Sequence, residues 1–285
     1  MNELYARVSE ITKQALYTFM KEEEVSTLSY QFRYYFNHCI RKNQIQIISH
    51  HFSNHKIEGL TVIDALGTSF SYEIDNPVSK RHFTLCHELG HFILKHNGSY
   101  FTESVDNQES TLEREANVFA AIVLMPDIVL LSKIYYSCDD FQKVKKDLEV
   151  SRQALYFRLI DLLRFYQVDI DSVIKQAIED YLDGQNVTVH QYFHQIKEDI
   201  IEEFNQYQPS LVARIRKKLT QSSIVTSQAL PELLDRSNWN EIRKSGYLKV
   251  WIVYNKGKTL AYAWNSEKLS EIEARKKAEL ELLIM

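Results

Sequence analysis

The stretch Arg81–Lys95, R-H-F-T-L-C-H-E-L-G-H-F-I-L-K, leaves a chain few ways to fold. Its apolar residues Phe83, Leu85, Leu89, Phe92, Ile93 and Leu94 ask for burial in a core, yet His87, Glu88 and His91 sit among them. On an α-helix, residues four apart are offset by about 40° around the axis, so both imidazoles leave one face, a turn apart. Buried imidazoles need partners for both ring nitrogens. One cation gripped by the pair meets that need, and neutral His at this spacing suits Zn²⁺. Glu88 lies roughly 100° around the axis from His87 and about 60° from His91. It cannot easily reach the same ion and is placed to take a proton from a water beside it. H-E-x-x-H is short enough to arise by chance, and a lone His on an apolar face is usually a hydrogen-bonded core residue. The apolar, helix-compatible surround and a second, acidic helix downstream favour the metal site.

That second helix is T-L-E-R-E-A-N-V-F-A-A-I-V-L-M-P, Thr111–Pro126, opened by acids and stopped by proline. It offers two candidates for a third ligand. Glu115 falls in a bulky apolar stripe with Val118, Phe119 and Ile122. Glu113 lies roughly 200° away, on a face with Ala116, Asn117, Ala120 and Leu124. Only one of them can face the His pair. A carboxylate in an apolar stripe needs a reason such as a cation, so periodicity favours Glu115 and leaves Glu113 as a solvated first-turn acid. His87, His91 and Glu115 would hold one Zn²⁺ and leave a position open.

The remaining composition bounds the setting. A length of 285 residues suits two domains, or one domain with a substantial appendage, and scarce Gly (7) and Pro (4) point to helices. A net charge of −4 argues against a chain-wide polyanion-binding surface, although a local basic patch is compatible with it. Cys39, Cys86 and Cys138 are far apart and odd in number, so no disulfide framework follows. The start, M-N-E-L-Y-A-R-V-S-E, is charged and amphipathic, unlike a signal peptide. The most apolar run, Val118–Met125, is too short to span a bilayer. A soluble, cytoplasmic protein is expected.

Spacing predicts helices over residues 2–21 and 28–41, then strands at 44–49, 60–63 and 70–74, the last two joined by a turn at 64–67. Ser79 is expected to cap the motif helix and His96-Asn97-Gly98 to end it, before a loop at 99–110. A short helix over 127–136 precedes helix, turn, helix at 139–164. Ser151, Arg152, Gln153 and Tyr156 have the residue types of a recognition helix, but the acidic net charge favours a structural helical pair over direct nucleic-acid binding. Three helices are expected over 170–219. His190 and His194 there share four-residue spacing but lack an acid after the first, so they read as surface residues. The basic run Ala213–Lys218 reads as a solvated helix end. A hairpin over 248–264 and a charged helix over 266–282 end the chain.

The segments F-T-L-C-H-E-L-G-H-F-I-L-K-H (83–96) and E-R-E-A-N-V-F-A-A-I-V-L-M-P (113–126), with the gap between them, resemble the ImmA/IrrE family of metallo-endopeptidases. The resemblance covers about residues 1–165, including V-S-R-Q-A-L-Y-F-R-L (150–159), similar to the helix-turn-helix-like end of that domain. It implies an α+β, mainly helical fold: a zincin-like metallopeptidase domain over 1–165 with a small sheet and the H-E-x-x-H helix. The helix-turn-helix-like segment at 139–164 would close it. The resemblance does not extend to 166–285, where residue spacing predicts a mostly helical C-terminal domain with a β-hairpin, for docking or sensing. Carried over by motif, His87 and His91 are zinc ligands, Glu88 is the catalytic base and Glu115 of the E-A-N triplet is the third ligand. The expected substrate is a protein, a helix-turn-helix transcriptional repressor, whose cleavage would relieve repression of a mobile element or stress regulon. The alternative is a non-catalytic, metal-containing regulator binding a repressor or DNA through 139–164. Two departures stand out. Cys86 replaces a small residue, and Phe119 stands where some zinc peptidases carry an Asp four residues after the ligand. With no cysteine after Cys138, a C-terminal zinc ribbon is excluded.

Overall fold

The structure, a computed structural model, describes residues 3–51, 57–65, 67–96, 100–104 and 110–284. The chain divides into two units, Met1–Gln208 and Pro209–Met285.

In the first unit, α1 (Glu3–Glu22) and α2 (Phe32–Asn43) lead into a sheet of order β1-β3-β2-β4. β1 (Gln46–His50) runs parallel to β3 (Gly67–Glu73), and β2 (Ile57–Asp64) pairs antiparallel with both β3 and β4 (Tyr100–Ser104). β4 lies in the stretch expected as loop. Its residues show no clear alternation, and pairing with β2 makes it a strand. Leu66, in the β2–β3 turn, lies outside the described residues.

The motif helix α3 (Val78–Ile93) packs on this sheet, with the Phe70 and Phe92 rings 6.2 Å apart. It starts after Pro77, so Ser79 lies inside it and no side chain caps it. It also ends sooner than expected: Leu94 closes it and Lys95 takes the left-handed conformation at φ 56°. Asn97 and Gly98 lie outside the described residues.

α4 (Thr111–Leu124) opens under Ser110, whose hydroxyl accepts from the Glu113 amide at 3.2 Å. Pro126 ends that ladder, but α5 (Asp127–Leu130) and a π-helical turn (Leu131–Tyr136) follow at once. The apolar stretch is therefore longer than Val118–Met125. Thr111–Tyr136 could cross a membrane by length and composition, yet 83% of its apolar window is buried inside the protein, as in a core helix.

α6 (Phe141–Asp147), α7 (Arg152–Phe165), α8 (Asp171–Leu182) and α9 (Val187–Gln206) complete the unit. The expected division after residue 165 is not where the structure separates. Ile178 and Tyr181 of α8 and Phe193 and Ile196 of α9 belong to the same core as Leu16, Phe119 and Leu159. A buried charge network reinforces this. Lys13 Nζ lies 2.6 Å from Asp127 Oδ2 and 2.7 Å from Glu203 Oε2. Arg158 pairs with the same Asp127, and donates to the Met125 carbonyl at 3.1 Å and to the Tyr5 hydroxyl at 2.9 Å. Burial works against ionisation of Asp127, but Lys13 and Arg158 outweigh it and hold the carboxyl below its ordinary value.

The second unit comprises α10 (Leu211–Lys218), β5 (Ile224–Thr226), α11 (Trp239–Lys244), β6 (Leu248–Asn255), β7 (Lys258–Asn265) and α12 (Glu271–Ile284). The expected hairpin is β6–β7, turning at Lys256 and Gly257 with φ 46° and 80°, the pair of positive values a two-residue turn requires. β5 adds on the other side of β7, so the sheet has three strands. Alternate residues of β7 enter opposite clusters. Ala261 and Ala263 join Trp239 and Ile242, while Leu260, Tyr262 and Trp264 join Ala274, Ala278 and Leu282 of α12.

Candidate metal centre

α3 and α4 lie unusually close because Gly90 has no side chain. A Cβ there would meet the Ala116 Cα at 3.2 Å and Phe119 side-chain atoms at 3.1 and 3.2 Å. This approach brings the acidic start of α4 to the His face of α3. His87 Nε2 is 2.9 Å from Glu113 Oε2, His91 Nε2 is 3.5 Å from Glu113 Oε1, and the two Nε2 atoms are 3.0 Å apart. His87 and His91 are each 1% exposed.

Glu115, the expected third ligand, points elsewhere. Its Oε2 is 2.9 Å from His96 Nε2, and its Oε1 pairs with Arg7 of α1. A carboxylate in an apolar stripe requires a cation beside it, and here that cation is the Arg7 guanidinium. Glu113 is brought to the His pair instead, near the capped first turn of its helix.

The surrounding hydrogen bonds fix both ring tautomers. Asn117 Oδ1 can only accept, so the His87 Nδ1–H donates to it at 2.9 Å. Glu115 accepts from His96 Nε2–H, which leaves His96 Nδ1 to accept from His91 Nδ1–H at 2.8 Å. Each ligand-type ring thus carries its proton on Nδ1 and turns a bare Nε2 lone pair to the centre. Asn117 is four residues after Glu113. The position for an orienting side chain that looked empty when counted from Glu115 is therefore filled when counted from Glu113.

Two lone pairs and a carboxylate converging at about 3 Å repel one another unless a cation lies between them. Ligand atoms on a tetrahedral Zn²⁺ with bonds of about 2.0–2.1 Å stand roughly 3.3 Å apart, which matches these separations. Burial pushes His91 below its ordinary pKa, against the opposing pull of Glu113, and favours the neutral ring a metal needs. Burial acts against ionisation of Glu113, but its contacts with His87 and His91 prevail and hold the carboxyl at about 2. Glu88 is fully buried beside the pair and accepts from the Thr61 hydroxyl at 2.5 Å. Thr61 is placed by the sheet register, opposite Phe70 and facing α3.

Residues 70–160 match the model of the IrrE N-terminal-like domain, Peptidase_M78. Over these residues the chain is similar to the metallopeptidase domain of the ImmA/IrrE family. No curated protein matches it. The Peptidase_M78 match spans His87, Glu88, His91, Glu113 and Asn117, and begins after Thr61 and Arg7. Those last two reach this centre through the fold alone, and sequence spacing carries no sign of them. His96 and Asn117 stand at short, readable offsets from His91 and Glu113, but those offsets gain meaning only once Glu113 is seen beside the His pair. His190 and His194 lie apart from the cluster. The Tyr135 ring stacks on His190 at 4.7 Å, and its hydroxyl is 2.8 Å from His194 Nδ1.

Proposed function

We propose that this protein is a zinc-dependent endopeptidase whose metal is held by His87, His91 and Glu113. The carrying observation is the convergence of three acceptors from two helices at 2.9–3.5 Å, with a buried carboxylate alongside. A bound divalent cation would polarise a peptide carbonyl and acidify water beside it. Glu88 accepts the proton of the attacking water and returns it to the leaving nitrogen. The Thr61 hydroxyl donates to one Glu88 oxygen and so fixes the direction of the other. Asn117 holds the His87 ring, and the Glu115–His96 chain holds the His91 ring. Glu115 is thus a positioning residue in this reading, itself held by Arg7.

The substrate we infer is a helix-turn-helix repressor in the cytoplasm, as the family resemblance implies, within a zincin-like domain. We read α6 and α7 as a helix-turn-helix-like pair serving the core. Leu155, Arg158, Leu159, Leu162 and Leu163 of α7 are all buried, which supports a structural role for that helix.

The test is Glu88→Gln. The variant should keep the fold and bind zinc at one equivalent, while cleavage of a helix-turn-helix repressor substrate falls by at least about 100-fold. Retained cleavage by the pure variant would reject Glu88 as the base. An intact repressor, tightly bound after long incubation with zinc-loaded wild-type protein, would favour the non-catalytic regulator.

A further inference from the structure

The modest net charge of the chain conceals a division. Residues 1–208 carry 20 Lys/Arg against 30 Asp/Glu, whereas residues 209–285 carry 14 against 8. The second unit is thus basic, at net +6, on a chain whose total is −4. Within that unit a cavity of about 380 Å³ is lined by Arg236, Trp239, Arg243, Trp251 and Tyr254, together with Asn240 and Ile252.

Its walls are prearranged. Trp239 Nε1–H donates to the Leu233 carbonyl at 2.8 Å, which locks the ring. The guanidinium groups of Arg236 and Arg243 lie 5.6 and 5.4 Å from that ring's centroid. Neither has a carboxylate partner among the described residues: Glu232 pairs with Arg214, and Asp235 accepts from the Ser237 amide and hydroxyl. Trp251 stands 6.3 Å from Trp239, tilted by 39°, and is 51% exposed; Tyr254 on the same strand is 66% exposed. Exposed aromatic faces beside guanidinium groups held in place form a surface with a stated chemistry. A planar base stacks on the ring, and its phosphate enters the fork of an arginine.

We infer that this cavity binds single-stranded nucleic acid, with a base against Trp251 and phosphates on Arg236 and Arg243. A duplex keeps its base faces stacked inside and offers nothing to Trp251. A lone mononucleotide would use one phosphate position, whereas the positive charge continues through exposed Lys244 and Lys249 and suits a chain of phosphates. The inference is independent of the metal centre.

The experiment uses the full-length protein and a fluorescein-labelled oligothymidylate of about fifteen nucleotides, followed by anisotropy. Binding should be saturable, should quench tryptophan fluorescence, and should weaken steeply between about 50 and about 200 mM salt. Trp251→Ala, at a half-exposed position, should weaken it about tenfold or more. Arg243→Gln should weaken it and flatten the salt dependence. Arg275→Gln, at an exposed residue paired with Glu279, should leave it unchanged. Equal thermal midpoints across the variants show that the fold is intact. Absence of binding at the lower salt overturns the inference, as does binding that Trp251→Ala and Arg243→Gln leave intact. It is equally overturned if a duplex of the same length or free thymidine monophosphate binds as tightly as the oligonucleotide, or if an oligoglutamate peptide displaces it.

Discussion

Glu113 and Glu115 are two residues apart on one helix and hold different places at the centre. A carboxylate in an apolar stripe must be compensated, and Glu115 is: Arg7 reaches it from α1 and His96 from beyond α3. Glu113 is less buried, yet it touches both ligand-type rings. This difference has a direct test in metal content. Glu113→Gln should abolish stoichiometric zinc retention through gel filtration. Glu115→Gln should keep the ion and weaken it about 10- to 100-fold, the usual cost of losing an orienting partner. If Glu115→Gln empties the site while Glu113→Gln leaves it filled, the roles are reversed.

At the level of elements, the centre depends on how closely α3 and α4 approach. Gly90 sits inside the motif at a position the motif leaves unspecified, and the structure explains why glycine serves there. Its missing Cβ is replaced by the backbone of Ala116 and by the Phe119 ring. The backbone contact cannot swing aside as a flexible side chain could. Gly90→Ala should therefore move α4 outward by a few tenths of an ångström and destabilise the fold by about 1–3 kcal/mol, despite the better helix propensity of Ala. Because α4 carries Glu113, zinc affinity should fall together with the thermal midpoint. An unchanged midpoint and unchanged affinity would show that the helices have slack. The sheet contributes in a similar way: Thr61 meets Glu88 only because β2 pairs with β3 in the observed register, and a one-residue slip would turn it away from α3.

For the whole molecule, the first unit owes its extent to charges and rings that are remote in sequence. Lys13, Asp127, Arg158 and Glu203 come from four helices and meet in the core. A fragment ending at residue 165 would strip away Glu203 and the apolar faces of α8 and α9. It should lack a cooperative melting transition, whereas a fragment ending at residue 208 should show one by calorimetry. Lys13→Met leaves Asp127 with one cation fewer and should cost about 3–5 kcal/mol in urea denaturation. The depressed pKa of Asp127 means its contribution is present above the ordinary carboxylate range and is lost as pH falls through the folded value. Removing Lys13 raises that folded value, so acid unfolding of the variant should begin at a higher pH than in the wild type. What the sequence alone determined is what local spacing can encode: the His87/Glu88/His91 face, the stop of α4 before Pro126, the β6–β7 turn, and the mainly helical character. Each follows from interactions within a few residues. The tertiary structure decided which acid faces the His pair, that Thr61, His96 and Arg7 support the site, that β4 is a strand, and where the first unit ends. Those outcomes depend on how closely packed elements approach and on partners as far apart as Lys13 and Glu203, which no local period records.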